Sequence, residues 1–214
     1  MLVIALTSIP PRFPALPKVF AALARQGADR LALTIPRSYR RFAPAPLPEL
    51  PGVEVIRTET DLGPAGKLLA PARAYPQADI LYCDDDWHYA DGWADALRMA
   101  YRPGSVAAAA LWPIARLKRR GLPVVQGFAG AIVPGEIAAR IPTPAGPAWW
   151  ADDLWLSGHF WAAGLTPAPA TEARALATPL PSPGALQDTA RAQDNRTTAA
   201  QIHAKLRIWP EASP

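Results

Sequence analysis

The sequence predicts a single α/β domain whose central, mostly parallel sheet is flanked by helices. Short apolar runs rich in branched residues alternate with segments of helical periodicity, the order in which crossover helices connect parallel strands. The 214 residues suffice for one sizeable core, since half of them are apolar or aromatic. Carboxylates, glycines and cations collect just after the apolar runs, where an open α/β sheet presents its carboxyl ends to a ligand.

Leu2 to Thr7 reads as the first strand. Pro10 and Pro11 stop the apolar run, which is too short for a signal peptide and lacks a basic leader. A helix follows from Leu16 to Gln26, with Leu16, Val19, Phe20 and Leu23 at helical spacing and Gly27 as its stop. Strands are expected at Leu31 to Ile35 and Val53 to Arg57, a helix from Pro64 to Tyr75, a strand from Ile80 to Cys83 and a helix from Trp93 to Tyr101. Val106 to Trp112 and Phe128 to Val133 complete the predicted sheet. Asp152 precedes the apolar series Leu154, Trp155, Leu156, Phe160 and Trp161, so it suits the N-cap of a helix ending near Gly164. From Thr166 to Pro183 the chain is Pro-rich and reads as irregular, and Ala185 to Leu206 regains helical character. Residues 1–164 are thus the expected core. Residues 165–214 are expected to join the same domain, as a flap over the site or an oligomer contact.

Composition narrows the function classes. Cys83 is the single cysteine, which excludes an internal disulfide and a Cys-rich zinc site and agrees with a reducing, cytoplasmic setting. It reads as a small buried hydrophobe. No window approaches the roughly 20 apolar residues of a membrane span. The excess of 22 basic over 18 acidic residues suits an anionic substrate, a membrane surface or nucleic acid equally, so charge alone selects none of them.

Asp84-Asp85-Asp86 directly follows the apolar segment Asp79-Ile80-Leu81-Tyr82 and Cys83. Three adjacent carboxylates at the mouth of a buried strand repel one another and lose hydration, and a hard divalent cation is the expected compensation. Four segments fall at strand ends: Thr7 to Arg12, Asp61 to Lys67, Asp84 to Asp86 and Gly127 to Gly130. Together they could hold a diphosphate, through a metal on the carboxylates, a cation such as Lys67 or Arg12, and backbone N–H groups in the turn that includes Gly130.

The same segments resemble a known family, the GT-A fold glycosyltransferases that use nucleotide-sugar donors, over most of the chain. Thr7-Ser8-Ile9-Pro10-Pro11-Arg12 is similar to the nucleotide-facing loop after the first strand, and Gly63-Pro64-Ala65-Gly66-Lys67 to a Gly-Pro-x-x-Lys element of some bacterial and algal members. Asp84-Asp85-Asp86 matches the Asp-x-Asp metal motif. Trp149-Trp150-Ala151-Asp152-Asp153-Leu154-Trp155-Leu156 resembles the acidic acceptor-side motif that opens a later helix, with Asp152 where members usually carry Glu.

The resemblance implies a GT-A-like, Rossmann-like domain that transfers a sugar from a nucleotide-diphosphate donor to a saccharide, lipid-linked or other hydroxyl acceptor, in polysaccharide or glycoconjugate synthesis. It implies Mn²⁺ or Mg²⁺ as cofactor and no nucleic-acid partner. Asp86 becomes the main metal ligand, Asp84 a ribose contact or water-mediated ligand, and Asp85 a residue directed to the donor sugar or a supporting hydrogen bond. Asp153 becomes the base of an inverting reaction, with capping of the helix as the alternative for it and for Asp152. A helix N-terminus favours the ionised carboxylate, so any upward pKa tuning of Asp153 must come from burial or from Asp152. Lys67 is either a phosphate-neutralising cation or a solvated surface lysine, and His203 either an extra metal or phosphate ligand or a surface histidine. Trp149 and Trp150 suit acceptor contacts, whereas Trp155 and Trp161 suit packing. The run Arg116-Leu117-Lys118-Arg119-Arg120 is either a solvated loop or an attractor for a phosphorylated or lipid-linked acceptor, with peripheral membrane contact. Two other classes remain open at this level, a metal-dependent phosphatase with an Asp-x-Asp site and a catalytically silent carbohydrate-binding scaffold.

Overall fold

The computed structural model describes residues 1–181 and 191–212. Its strands, in chain order, are β1 (Leu2–Thr7), β2 (Arg30–Pro36), β3 (Val53–Thr58), β4 (Asp79–Tyr82), β5 (Trp87–Tyr89), β6 (Ser105–Ala108), β7 (Leu111–Trp112), β8 (Val124–Val125), β9 (Ala131–Pro134), β10 (Thr166–Pro169) and β11 (Ala177–Pro179). Seven of them form one sheet in the order β10-β6-β9-β4-β1-β2-β3. Only β9 runs against the others, pairing antiparallel with both β4 and β6. The expected mostly parallel α/β sheet is what the chain forms.

The continuous apolar reading of β1 reflects burial on both faces. Leu2, Ile4 and Leu6 enter one apolar cluster, and Val3 and Ala5 enter the other. The first cluster is covered by α1 (Leu16–Leu23), α3 (Trp93–Ala100) and α6 (Thr171–Ala175), through residues such as Phe20, Trp93, Leu97 and Ala173. The second is covered by α2 (Gly66–Ala74), α5 (Asp152–Ala162) and α7 (Arg191–Leu206), through Leu68, Leu69, Trp155, Phe160 and Ile202, with the short α4 (Gly135–Ala138) at its border. Gly27 ends the first helical stretch at φ +68°, a left-handed conformation that glycine adopts without Cβ strain.

Several boundaries differ from the sequence reading, each for a physical reason. The expected strand Val106 to Trp112 breaks in two: β6 stays in the sheet, while Leu111–Trp112 pairs with Val124–Val125 in a separate two-stranded ribbon. The alanines from Ala107 to Ala110 carry no alternation to mark the handover. Phe128 to Val133 is shortened to β9, because Gly127–Ala129 turns as a 3₁₀ helix and Gly130 adopts φ +101°. A Cβ on Gly130 would lie 2.3 Å from the Trp93 ring.

The Pro-rich stretch from Thr166 is ordered as β10, α6 and β11 rather than irregular. Pro167 and Pro169 are compatible with β10 because it is the sheet's edge strand, where a missing N–H breaks no ladder. Residues 182–190, which include Pro183 and the expected helix start at Ala185, lie outside the described residues, and the described helix runs from Arg191 to Leu206. Among the described residues, no helix is long and apolar enough to cross a membrane.

Candidate active site

Strand β1 has β2 on one side and β4 on the other, so the chain reverses its direction of travel across the sheet at this point. Such a switch point leaves a crevice at the strands' carboxyl ends. Here the crevice has a volume of about 380 Å³. It is lined by Thr7 to Ile9 and Arg12 at and after the end of β1, Tyr39, Arg41 and Phe42 after β2, Asp61, Gly63, Pro64 and Lys67 around the start of α2, Asp84 to Trp87 after β4, and Gln126, Phe128, Trp149, Asp152 and Asp153. All four segments expected at strand ends thus reach one cleft or its wall.

The carboxylates do not face each other uncompensated, as the sequence reading expected. Arg12 places one guanidinium nitrogen 2.6 Å from Asp85 Oδ1 and another 3.2 Å from Asp86 Oδ2. Lys67 Nζ lies 2.7 Å from Asp84 Oδ1 and 3.1 Å from Asp152 Oδ2. Lys67 is therefore no surface lysine: its side chain is 3% exposed. Burial acts to lower its pKa, but Asp152 and Asp84 outweigh that effect and hold it well above the usual lysine value, as an ammonium ion. Gly127 makes room for it, since a Cβ there would lie 2.7 Å from Lys67 Nζ and 2.9 Å from the Tyr82 ring.

Asp85, the middle carboxylate, accepts hydrogen bonds from the Ser8 hydroxyl and Arg12. It ties the loop after β1 to the loop after β4. Burial pushes it up to about 6, against the opposing pull of Arg12 and Ser8. Thr7 lines the cleft, with its hydroxyl donating to the Thr34 carbonyl at 2.9 Å.

On the opposite wall, Ala151 occupies the N-cap of α5 and no side chain caps it. The expected capping role of Asp152 is thus corrected: its carboxylate turns to Lys67, because pairing a buried ammonium outweighs a capping hydrogen bond. Asp153 Oδ1 accepts the Gly127 N–H at 3.0 Å. Burial, then the neighbouring Asp152, pushes Asp153 up to about 7, with Lys67 and the Gly127 N–H pulling the other way. Both sources of upward tuning are those the helix-terminus argument had required.

Two expected site residues lie apart from the cleft lining. Gly130 serves the backbone turn against Trp93, and His203 sits on α7 with Nδ1 3.2 Å from the Ile208 carbonyl. Arg119, in the basic run, is buried and donates to the Trp209 carbonyl at 2.8 Å, tying the chain end to the body. Among the described residues, no three His, Cys, Asp or Glu side chains are grouped closely enough to hold a metal by themselves. Sequence reasoning missed Tyr39, Arg41, Phe42 and Gln126. The run Tyr39-Arg40-Arg41-Phe42 was a usable signal only through position: aromatic and arginine side chains just past the end of β2.

No protein-family profile and no curated protein matches this chain. Among solved structures it is similar to a mannosyltransferase from Pyrobaculum calidifontis in complex with GDP-Man and Mn2+. The TM-score is 0.58 at 12% identity, over 96% of this chain and 72% of that one. The two chains share a fold. At that identity the likeness concerns the arrangement of the sheet and helices, in which this chain places its own carboxylates.

Proposed function

We propose that this protein is a metal-dependent glycosyltransferase of the GT-A type, moving a sugar from a nucleoside-diphosphate donor to an acceptor hydroxyl with inversion. One observation carries the reading: a single cleft at the switch point of the sheet holds Asp84 and Asp86 on one wall and Asp153, tuned to about 7, on the other. The shared fold with a transferase that binds GDP-Man and Mn2+ supports it.

The cleft fits a hard divalent cation delivered with its substrate. Six carboxylates line it against Arg12, Arg41 and Lys67, so a diphosphate entering alone would meet excess negative charge. Asp84 and Asp86 offer oxygen ligands but too few for a protein cage. That suits Mn²⁺ or Mg²⁺, which complete their shells with phosphate oxygens and water. Bound there, the ion would stabilise negative charge on the departing diphosphate. Asp153 accepts the proton of the acceptor hydroxyl as its oxygen bonds to the anomeric carbon and the bond from that carbon to the diphosphate breaks. Gly127 N–H fixes Asp153 Oδ1 during that transfer, while Lys67 joins Asp84 on the donor wall to Asp152 on the acceptor wall.

Calorimetric titration with nucleoside diphosphates, including GDP, in Mn²⁺ and in chelator tests the donor half. Binding is expected only with metal, and Asp86→Ala is expected to weaken it at least 100-fold. Tight binding in chelator, unaffected by that substitution, would remove Asp86 from the site. Release of nucleoside diphosphate from a panel of nucleotide sugars, GDP-mannose first, then reports the donor.

A further inference from the structure

The eight tryptophans divide sharply by what their indole N–H groups do. Five are buried, and each donates to a backbone carbonyl: Trp93 to Ala129, Trp149 to Asp61, Trp155 to Pro142, Trp161 to Pro123 and Trp209 to Leu122. Four of these are packing residues, and Trp149 also lines the donor cleft. Trp87, Trp112 and Trp150 are half-buried, and among the described residues they make no such bond. Trp87 lines the donor cleft. Trp112 and Trp150 line a second cavity of about 140 Å³, together with Gln126, Asn195 and the two carboxylates Asp152 and Asp153 that the cavity shares with the cleft.

We propose that this second cavity is the acceptor subsite and that it takes an uncharged pyranose ring. The proposal rests on the transferase reading above and gives its acceptor a chemical class. The cavity is built by four separate elements: Trp112 from β7, Gln126 just after β8, Trp150 to Leu154 entering α5, and Asn195 from α7. A cavity of roughly 150 Å³ holds a bare six-membered ring such as benzene, so a pyranose seated here extends part of its hydroxyl rim beyond the cavity. Its lining pairs two indoles, each flat and apolar with a polar edge, with two carboxamides that both donate and accept hydrogen bonds. A sugar presents the same mixture, C–H faces and a rim of hydroxyls.

Charge rejects the competing acceptors. Asp152 and Asp153 form the shared wall, so a phosphate at the reacting end would face two carboxylates whose nearest cation, Lys67, is already paired with Asp84 and Asp152. The Arg41 guanidinium lies 5.5 Å from the Trp150 ring centre, on the side of the donor cleft, whose lining includes Arg41. A hydroxyl of a ring seated in the cavity therefore meets Asp153 between the two chambers, with the donor on the other side.

Ligand-observed NMR with a panel of methyl α- and β-pyranosides, in the presence of Mn²⁺ and nucleoside diphosphate, tests the assignment. At least one glycoside is expected to bind, and Trp150→Ala and Trp112→Ala are each expected to weaken it at least tenfold. Trp150→Phe, which keeps a ring, is expected to recover most of the loss, and an unchanged melting temperature separates lost contact from lost fold. The assignment is overturned if no glycoside binds the native protein, if neither alanine variant changes binding, or if a phosphorylated sugar binds more tightly than its methyl glycoside. Glycoside binding without turnover of any nucleotide sugar would sink the transferase reading and leave the saccharide site standing.

Discussion

Asp153 shows how one residue's chemistry is set by its surroundings. Its carboxyl is pushed up to about 7 by burial and by Asp152, against the pull of Lys67 and the Gly127 N–H. A general base near the working pH combines a useful ionised fraction with affinity for the acceptor proton. The acid limb of transfer activity is therefore expected near pH 7, with activity rising as the carboxylate forms, and Asp153→Asn is expected to lower kcat about 100- to 10,000-fold. Stability moves the opposite way. A carboxyl whose folded pKa exceeds its unfolded value binds more protons in the native state, so stability is lost as pH rises from about 4 through 7. Melting curves across that range are expected to show Asp153→Asn gaining on the native protein toward high pH; a constant difference would contradict the raised value. Lys67 is the counterpart. Lys67→Met would leave Asp84 and Asp152 without their common cation, and breaking a buried pair in this way is expected to cost about 3–5 kcal/mol, measured by denaturant unfolding.

At the scale of elements, the site depends on close approach between the turn after β8 and the start of α2. The 3₁₀ turn Gly127–Ala129 lets a backbone N–H reach Asp153 while leaving space for the Lys67 ammonium and the Tyr82 ring. Gly127→Ala would put a methyl group into that contact, where the neighbouring lysine is held by two ion pairs. It is expected to destabilise the fold by about 1–3 kcal/mol and to shift the acid limb of the pH profile, because the N–H, Lys67 and Asp153 move together. A change in stability with the profile unmoved would show that the turn is a packing device only. The α5 helix is placed by its other face. Gly158 meets Ile202 of α7 so closely that a Cβ would lie 2.6 Å from the isoleucine.

For the whole molecule, the residues after 164 supply structure to both the sheet and the site. β10 adds the edge strand beside β6, Ile202 and Trp209 are buried in the second apolar cluster, and Asn195 lines the smaller cavity that Asp152 and Asp153 share with the cleft. We propose that residues 1–164 and 165–214 unfold as one unit. The full chain is expected to melt in a single transition by circular dichroism, and a chain ending after residue 181, stripped of α7 and Trp209, is expected to lose it. Two separable transitions in the full chain would contradict that unity.

The sequence by itself determined the α/β class and the strand-end position of the four chemical segments, because local apolar periodicity and residue type report burial and strand ends, whereas joining Asp84 to Asp86 with Asp153 came from the family resemblance. It did not determine how the carboxylates are balanced. Arg12 and Lys67 lie 73 and 17 residues from the aspartates they meet, and no local pattern encodes such a partner. The sequence set Trp150 apart from Trp155 and Trp161, but it grouped the buried Trp149 with Trp150 and gave Trp112 no role, since an indole's role depends on which carbonyl the fold brings to its N–H. Gly130 and His203 show the same limit in reverse: residue types suited to a ligand, set by the tertiary structure against Trp93 and Ile208 instead.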